Sequence, residues 1–226
     1  RDMGEREFEQ EFEAKFVNYA GVIFYSYTEA NMVPHPGIDA GTPIHCGIDF
    51  NVTPLVCVIA TKTAAGLHVF DEIEIHSSNT NEMCAEIRTR YGYQRPIFMY
   101  PDATGKRLNT NSGGVSDHII LHNAGFKVIT DAANPPVADT IASVNALLCN
   151  GSGQRNLLVD PKCKRLREVM HKYVYKPDTR VPDKDSGYDH MADALRYLVH
   201  KNYPLKMLNS MSSGKSYRQM GKVMHR

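Results

Sequence analysis

Long apolar runs, closely paired cysteines and an excess of either charge are all missing from this 226-residue sequence, and each absence removes a class of protein. No apolar stretch approaches the roughly 18 residues that span a bilayer, so no membrane-spanning helix is expected. The start, Arg1-Asp2-Met3-Gly4-Glu5, lacks the basic-then-apolar pattern of a secretory signal and reads as a chain cut from something longer. There are 5 cysteines (Cys46, Cys57, Cys84, Cys149 and Cys163), an odd number with no zinc-site spacing. Several stand in apolar runs, where a free thiol acts as a small hydrophobe, and a reducing, cytoplasmic compartment suits them. Lys and Arg total 26 against 25 Asp and Glu. A near-neutral total names no partner, because a local basic face is what binds phosphate. A phosphate-cradling loop is missing too. Ser213-Gly214-Lys215-Ser216 offers the end of one, but Asn209 stands where its first glycine belongs and no strand precedes it. The chain is therefore expected neither to bind nor to hydrolyse ATP.

What is present is enough apolar residue, 42%, for one substantial core with appendages. Residues 1–40 read as an acidic, aromatic prelude, with Phe8, Phe12 and Phe16 on one helical stripe, a short strand at 22–25 and a linker at 34–37. Three apolar segments at 44–50, 55–60 and 66–75 follow, with short connections that predict an antiparallel meander. The pattern then alternates: helix 81–91, strand 96–100, helix 115–123, strand 126–129, helix 137–148, strand 156–159, helix 162–171 and a closing helix 188–201. That order predicts an α/β domain over 41–205, a mixed sheet of meander plus parallel strands with helices on both faces. Residues 206–226, rich in Met, Ser, Lys and Gly, read as a mobile tail.

Two aspartates stand out by position. Asp49 and Asp102 each end an apolar strand, where a carboxylate is costly to desolvate unless it is paired or binds a metal. Either one alone reads first as a residue opening a turn; together in one mixed sheet they are candidates for a site. A third comes from the closing helix, Tyr188-Asp189-His190-Met191-Ala192-Asp193-Ala194-Leu195-Arg196-Tyr197. Asp193 lies between two small alanines that let the helix approach a sheet, with Asp189 and His190 one turn before it. An acid in the first turn, such as Asp189, is also favoured by the helix dipole alone. Three carboxylates from two strand ends and a helix would suit hard divalent cations, Mg²⁺ or Mn²⁺, and two such ions can hydrolyse a phosphodiester.

The sequences Gly47-Ile48-Asp49-Phe50-Asn51, Asp102-Ala103-Thr104-Gly105 and His190 through Tyr197 resemble the C-terminal nuclease domain of tailed-phage large terminase subunits, over roughly residues 41–203. Val69-Phe70-Asp71-Glu72 and the Gly125-Phe126 step are similar as well. The resemblance implies an RNase H-like fold and a metal-dependent endonuclease that cuts concatemeric double-stranded viral DNA during genome packaging. It implies Asp49, Asp102 and Asp193 as catalytic metal ligands, with His190 and Asp189 as secondary candidates and Glu72 as a weak one. It also implies a prelude that joins an absent ATPase motor. The partners it implies are double-stranded DNA, with the small terminase subunit and portal in the full assembly. The isolated domain is expected to be monomeric and to work in the host cytoplasm.

Basic residues give a weaker signal. Lys106 and Arg107, just after Asp102, and Lys162, Lys164 and Arg165 are candidates for the DNA backbone, although a solvated helix face explains the second group as well. Residues 109–114 read as a loop that borders a groove or merely connects, and 173–188 as a flap over the site or an ordinary surface excursion. Two other functions fit the same residues: an RNase H or junction-resolving nuclease, and a non-catalytic module that docks on portal or small terminase.

Overall fold

A computed structural model describes residues 21–51, 53–106 and 115–205, without the Lys106 side chain. The stripe of Phe8, Phe12 and Phe16, Arg107, the 109–114 loop and the tail from 206, with Ser213-Gly214-Lys215-Ser216, lie outside the described residues.

The strands are β1 (Ile44–Asp49), β2 (Leu55–Lys62), β3 (Leu67–Ile75), β4 (Ile97–Pro101), β5 (Lys127–Val128) and β6 (Leu157–Val159). The α-helices are α1 (Thr80–Tyr91), α2 (Asp117–Asn123), α3 (Val137–Leu148), α4 (Lys164–Lys172) and α5 (Asp189–Asn202). The strands form one sheet in the order β5-β4-β1-β2-β3-β6. β1, β2 and β3 make the expected antiparallel meander, β4 runs parallel to β1, β5 parallel to β4, and β6 parallel to β3. This is the mixed α/β, RNase H-like sheet.

Side chains alternate across a strand, so each face collects its own core. Cys46, Ile48, Cys57 and Ile59 meet Met83 and Ile87 of α1 and Leu121 of α2 on one face. Val56, Val58, Ala60, Leu67 and Val69 meet α3, α4 and α5 on the other, through Val144, Leu147, Leu166, Val169, Leu195 and Leu198. Helices therefore cover both faces, and each buried aliphatic contributes on the order of 1.5–3 kcal/mol. No helix among the described residues is long and apolar enough to cross a membrane.

The stretch before β1 differs from the expectation. Residues 22–25 form turns with a single bridge, Val22 to Val174, and not a strand. Adjacent Ile23 and Phe24 are both buried, which an alternating strand with one wet face does not allow. The segment is anchored by side chains instead: Asn145 Nδ2 donates to Ile23 O, and its Oδ1 accepts from Ser26 N. Buried Asn31 donates to Leu148 O and Leu157 O. The 34–37 segment is also tied down, since His35 N–H donates to Asp160 at 2.7 Å and its ring bonds Thr61 at 2.8 Å.

Candidate functional site

The parallel pairing of β1 and β4 sets Gly47 against Tyr100 and Ile48 against Pro101. Asp49 and Asp102, the next residues along, therefore leave the sheet side by side at the carboxyl ends of neighbouring parallel strands. Open sheets of this kind place their ligands there. Period two puts Asp49 on the same face as Gly47, the face that α5 covers. A Cβ on Gly47 would stand 2.0 Å from the Ala194 carbonyl oxygen, so the α5 backbone lies directly on β1 with no side chain between. That approach brings Asp193, the neighbour of Ala194, towards Asp49.

The third anchor is the 3-10 turn Ala103–Lys106, which follows Asp102. Gly105 is pressed against the Phe50 ring, where a Cβ would come within 2.4 Å, and its N–H donates to Asp102 Oδ1 at 3.0 Å. Thr104 Oγ1 donates to the other carboxylate oxygen at 2.6 Å, and His118 Nε2 bonds the Asp102 carbonyl at 2.9 Å.

Asp49, Asp102, Asp189, His190 and Asp193 all line one cleft of about 1000 Å³. His190 Nδ1 is 2.9 Å from Asp49 Oδ2, and Asn51 Nδ2 is 2.7 Å from His190 Nε2. A neutral ring protonated on Nδ1 satisfies both contacts, donating to the carboxylate and accepting from the amide. Asp193 is only 8% exposed and is bound by the Arg196 guanidinium. Burial pushes the Asp49 carboxyl above its ordinary range; the His190 hydrogen bond opposes the rise, and the charges of Asp193 and Asp102 add to it. His190 is raised first by that same hydrogen bond, against burial, and then by the charges of Asp189, Asp49 and Asp193. Asp49 thus feels both of the other carboxylates across the cleft.

They do not touch a common point. Among the described residues no three His, Cys, Asp or Glu side chains converge closely enough to hold an ion. Each acid has a partner of its own instead: His190 for Asp49, Arg196 for Asp193 and the Gly105 turn for Asp102. The donor chemistry nevertheless fits a hard cation: the carboxylates of Asp49, Asp102, Asp189 and Asp193 line the cleft, and buried Asp189 keeps one oxygen, Oδ1, without a hydrogen bond.

Other candidates stand elsewhere. Glu72 is not part of the cluster; its two oxygens accept from the Arg165 and Leu166 N–H groups at 2.8 Å each, capping α4, which has no side-chain cap of its own. Lys162, Lys164 and Arg165 do not line the cleft. Arg165 is instead occupied by Glu74 and Glu168 and lies over the Tyr188 ring, while Lys162 lies over Phe70. Of the expected backbone-contact residues, the Lys106 side chain and Arg107 lie outside the described residues.

Part of the 173–188 segment, read from the sequence as a flap or a surface excursion, lines the same cleft as the acids. A hairpin over 174–183 is closed by the Tyr175–Pro182 bridge and by Lys176 N–H donating to Val181 O at 2.9 Å. It brings Lys176 and Arg180 to the cleft, with Lys184 just beyond it. Lys176 is paired with Asp185 at 3.1 Å, whereas Arg180 is exposed and makes no ion pair among the described residues. The polar, proline-punctuated sequence showed an excursion here, but not which side of it faced the acids.

Several solved structures share this fold. The large terminase of a thermophilic bacteriophage, in complex with ATP-gamma-S, is similar with a TM-score of 0.62 at 18% identity, over 80% of this chain and 45% of that one. The nuclease domain of the P22 large terminase matches with a TM-score of 0.62 at 15% identity, over 84% of this chain and 97% of that one. The large terminase nuclease of thermophilic phage G20c with bound cobalt matches with a TM-score of 0.53 at 13% identity, over 80% and 97%. No curated protein matches in sequence. The chain spans less than half of the ATP-gamma-S-bound terminase, and identities this low speak for a shared fold alone. The sequence profile of the terminase RNaseH-like domain goes further, matching residues 47–202. That match runs from the glycine on which α5 rests to the end of α5 itself, takes in all three aspartates, and makes this chain a member of the terminase RNaseH-like domain family.

Proposed function

We propose that the chain is a divalent-metal-dependent endonuclease that cuts double-stranded viral DNA during genome packaging. The observation that carries this reading is that Asp49 and Asp102, from the carboxyl ends of parallel β1 and β4, line one cleft together with Asp193 of α5. Family membership supports it, as does the cobalt bound by the G20c nuclease of similar fold. In this reading Asp49, Asp102 and Asp193 hold Mg²⁺ or Mn²⁺, and Asp189 supplies a further oxygen. The bound ions supply an activated water and charge stabilisation at the phosphodiester. His190 orients Asp49 through its Nδ1, and Asn51 fixes the ring from its other side. Arg180 and Lys184 take the role first given to Lys162, Lys164 and Arg165 and contact the DNA backbone across the cleft from the acids. Docking on a portal and a small terminase subunit, and action in the host cytoplasm, belong to the same proposal for the intact protein.

The test is cleavage of linear duplex, RNA–DNA hybrid and four-way junction with Mn²⁺ or Mg²⁺, with and without EDTA. Duplex cutting that needs the metal, and that is lost in Asp49→Ala and Asp102→Ala, is the expected result. Preference for hybrid or junction, or equal cutting by the variants, would overturn the substrate or the site respectively.

A further inference from the structure

The acids account for ligands, but one cation in the cleft has no role in that reading. Arg196 is 4% exposed and lines the cleft beside Asp193. Its Nη2 donates to Asp193 Oδ1, and its Nη1 donates to Thr140 Oγ1 of α3 at 2.5 Å. Thr140 is itself buried, and its only hydroxyl proton goes to Val137 O at 2.7 Å. The oxygen can therefore only accept from Arg196, which fixes the direction of the chain from α3 through the guanidinium to the carboxylate. Asp193 Oδ2 has no hydrogen-bond partner among the described residues.

We propose that Arg196 is a positioning residue for cation binding: held by Thr140, it fixes Asp193 by one oxygen and leaves the other for the ion. The inference rests on the metal-dependent reading above and adds a residue, and a second helix, to it.

Stability alone is a poor account of this arrangement. A buried ion pair often does no better than well-packed apolar residues of the same volume. This pair also leaves the Arg196 Nε–H buried without an acceptor, a cost that an apolar replacement would not carry. What the pair achieves is geometric. A carboxylate pinned through one oxygen has already lost its rotamer freedom, so an ion approaching the other oxygen does not have to order it. The opposing effect is Coulombic, because a guanidinium near a cation site weakens it. Two variants separate these effects. Thr140→Val keeps both charges and nearly the same volume but removes the hold on Arg196. Arg196→Lys keeps the positive charge but replaces the planar fork with a point charge that cannot bridge Asp193 and Thr140 in the same way.

The experiment titrates Mn²⁺ into metal-stripped protein, reads free Mn²⁺ by electron paramagnetic resonance, and follows thermal unfolding of each variant in parallel. Arg196→Lys is expected to weaken Mn²⁺ binding by about 10–100-fold, the usual range for a group that orients a metal ligand, and Thr140→Val by several-fold. In cleavage assays the Mn²⁺ concentration at half-maximal rate should rise more than the plateau rate falls. A merely structural role would lower the melting temperature and leave Mn²⁺ affinity of the folded variants at the parent value, and that result would overturn the proposal. If Arg196→Lys does not fold, Thr140→Val decides it. A parent that binds no Mn²⁺ would overturn the metal-dependent reading itself and this inference with it.

Discussion

Gly47 of β1 lies beneath the backbone of Ala194 in α5 with no space for even a methyl group between them. The contact is backbone against backbone, so neither partner can rotate away. Gly47→Ala is expected to lift α5 from the sheet, cost on the order of 3 kcal/mol, and separate Asp193 from Asp49. Urea unfolding should show the loss, and plasmid cleavage should fall by more than the drop in folded protein explains. A variant with parental stability and activity would disprove the close approach.

The two acids that this contact brings together should respond differently to removal of charge. Asp193→Asn strips a buried guanidinium of its counter-charge and is expected to destabilise the domain by about 3 kcal/mol. Asp49 is held above its ordinary pKa by burial and by two like charges, so Asp49→Asn should cost far less. Thermal melts of the two variants, each expected to be inactive in cleavage, test the asymmetry.

Glu72→Gln should behave as the loss of a helix cap. Its side chain would keep one acceptor for the α4 N–H groups and lose the charge that favours a helix N-terminus. A loss of about 0.5–2 kcal/mol in stability is expected, with Mn²⁺ affinity unchanged. A large fall in Mn²⁺ affinity would restore Glu72 to the ligand set.

His45 gives the domain a pH-dependent stability away from the cleft. Burial, and after it the charge of Lys62, lowers its pKa to about 4, while its ring stacks on Phe98 and bonds Tyr100. The unfolded chain takes up the proton near pH ~6.5, before the folded one does. The stabilisation is therefore complete above about 6.5 and is lost as pH falls towards about 4, with a slope of at most about 1.4 kcal/mol per pH unit. His45→Gln should flatten urea midpoints between those limits relative to the parent; identical pH profiles would rule it out.

Arg180→Ala is expected to weaken duplex binding in Ca²⁺ and to reduce the salt slope by about one charge. Lys164→Ala, exposed at the start of α4 and away from the cleft, should leave both unchanged. Binding measured across a salt series tells the two apart, and the reverse ranking would return the DNA path to α4.

Much of this was legible before any coordinates. Three consecutive apolar segments with short connections marked the meander, and Asp49 and Asp102 were conspicuous because each ends an apolar run. What stayed hidden depended on which way a side chain points across distant elements. Glu72 looks the same in sequence whether it faces an ion or the N-terminus of α4, 93 residues away from its Arg165 partner. Arg165 reads as a free cation until Glu74 and Glu168 are seen beside it. Arg196 sits in a helix like any surface arginine, and only Thr140 and Asp193 show that it is buried. Residues 22–25 misled for a related reason, because two adjacent apolar residues suit a strand as well as a turn sunk into a core.

The entering chain and the cleft wall are joined by two backbone hydrogen bonds. Ile23 N–H donates to Tyr173 O, and Tyr175 N–H donates to Gly21 O, at the foot of the hairpin that carries Arg180. The hairpin that lines the cleft is therefore tied at its base to the segment before β1, so losing residues 21–23 would strip it of two backbone hydrogen bonds.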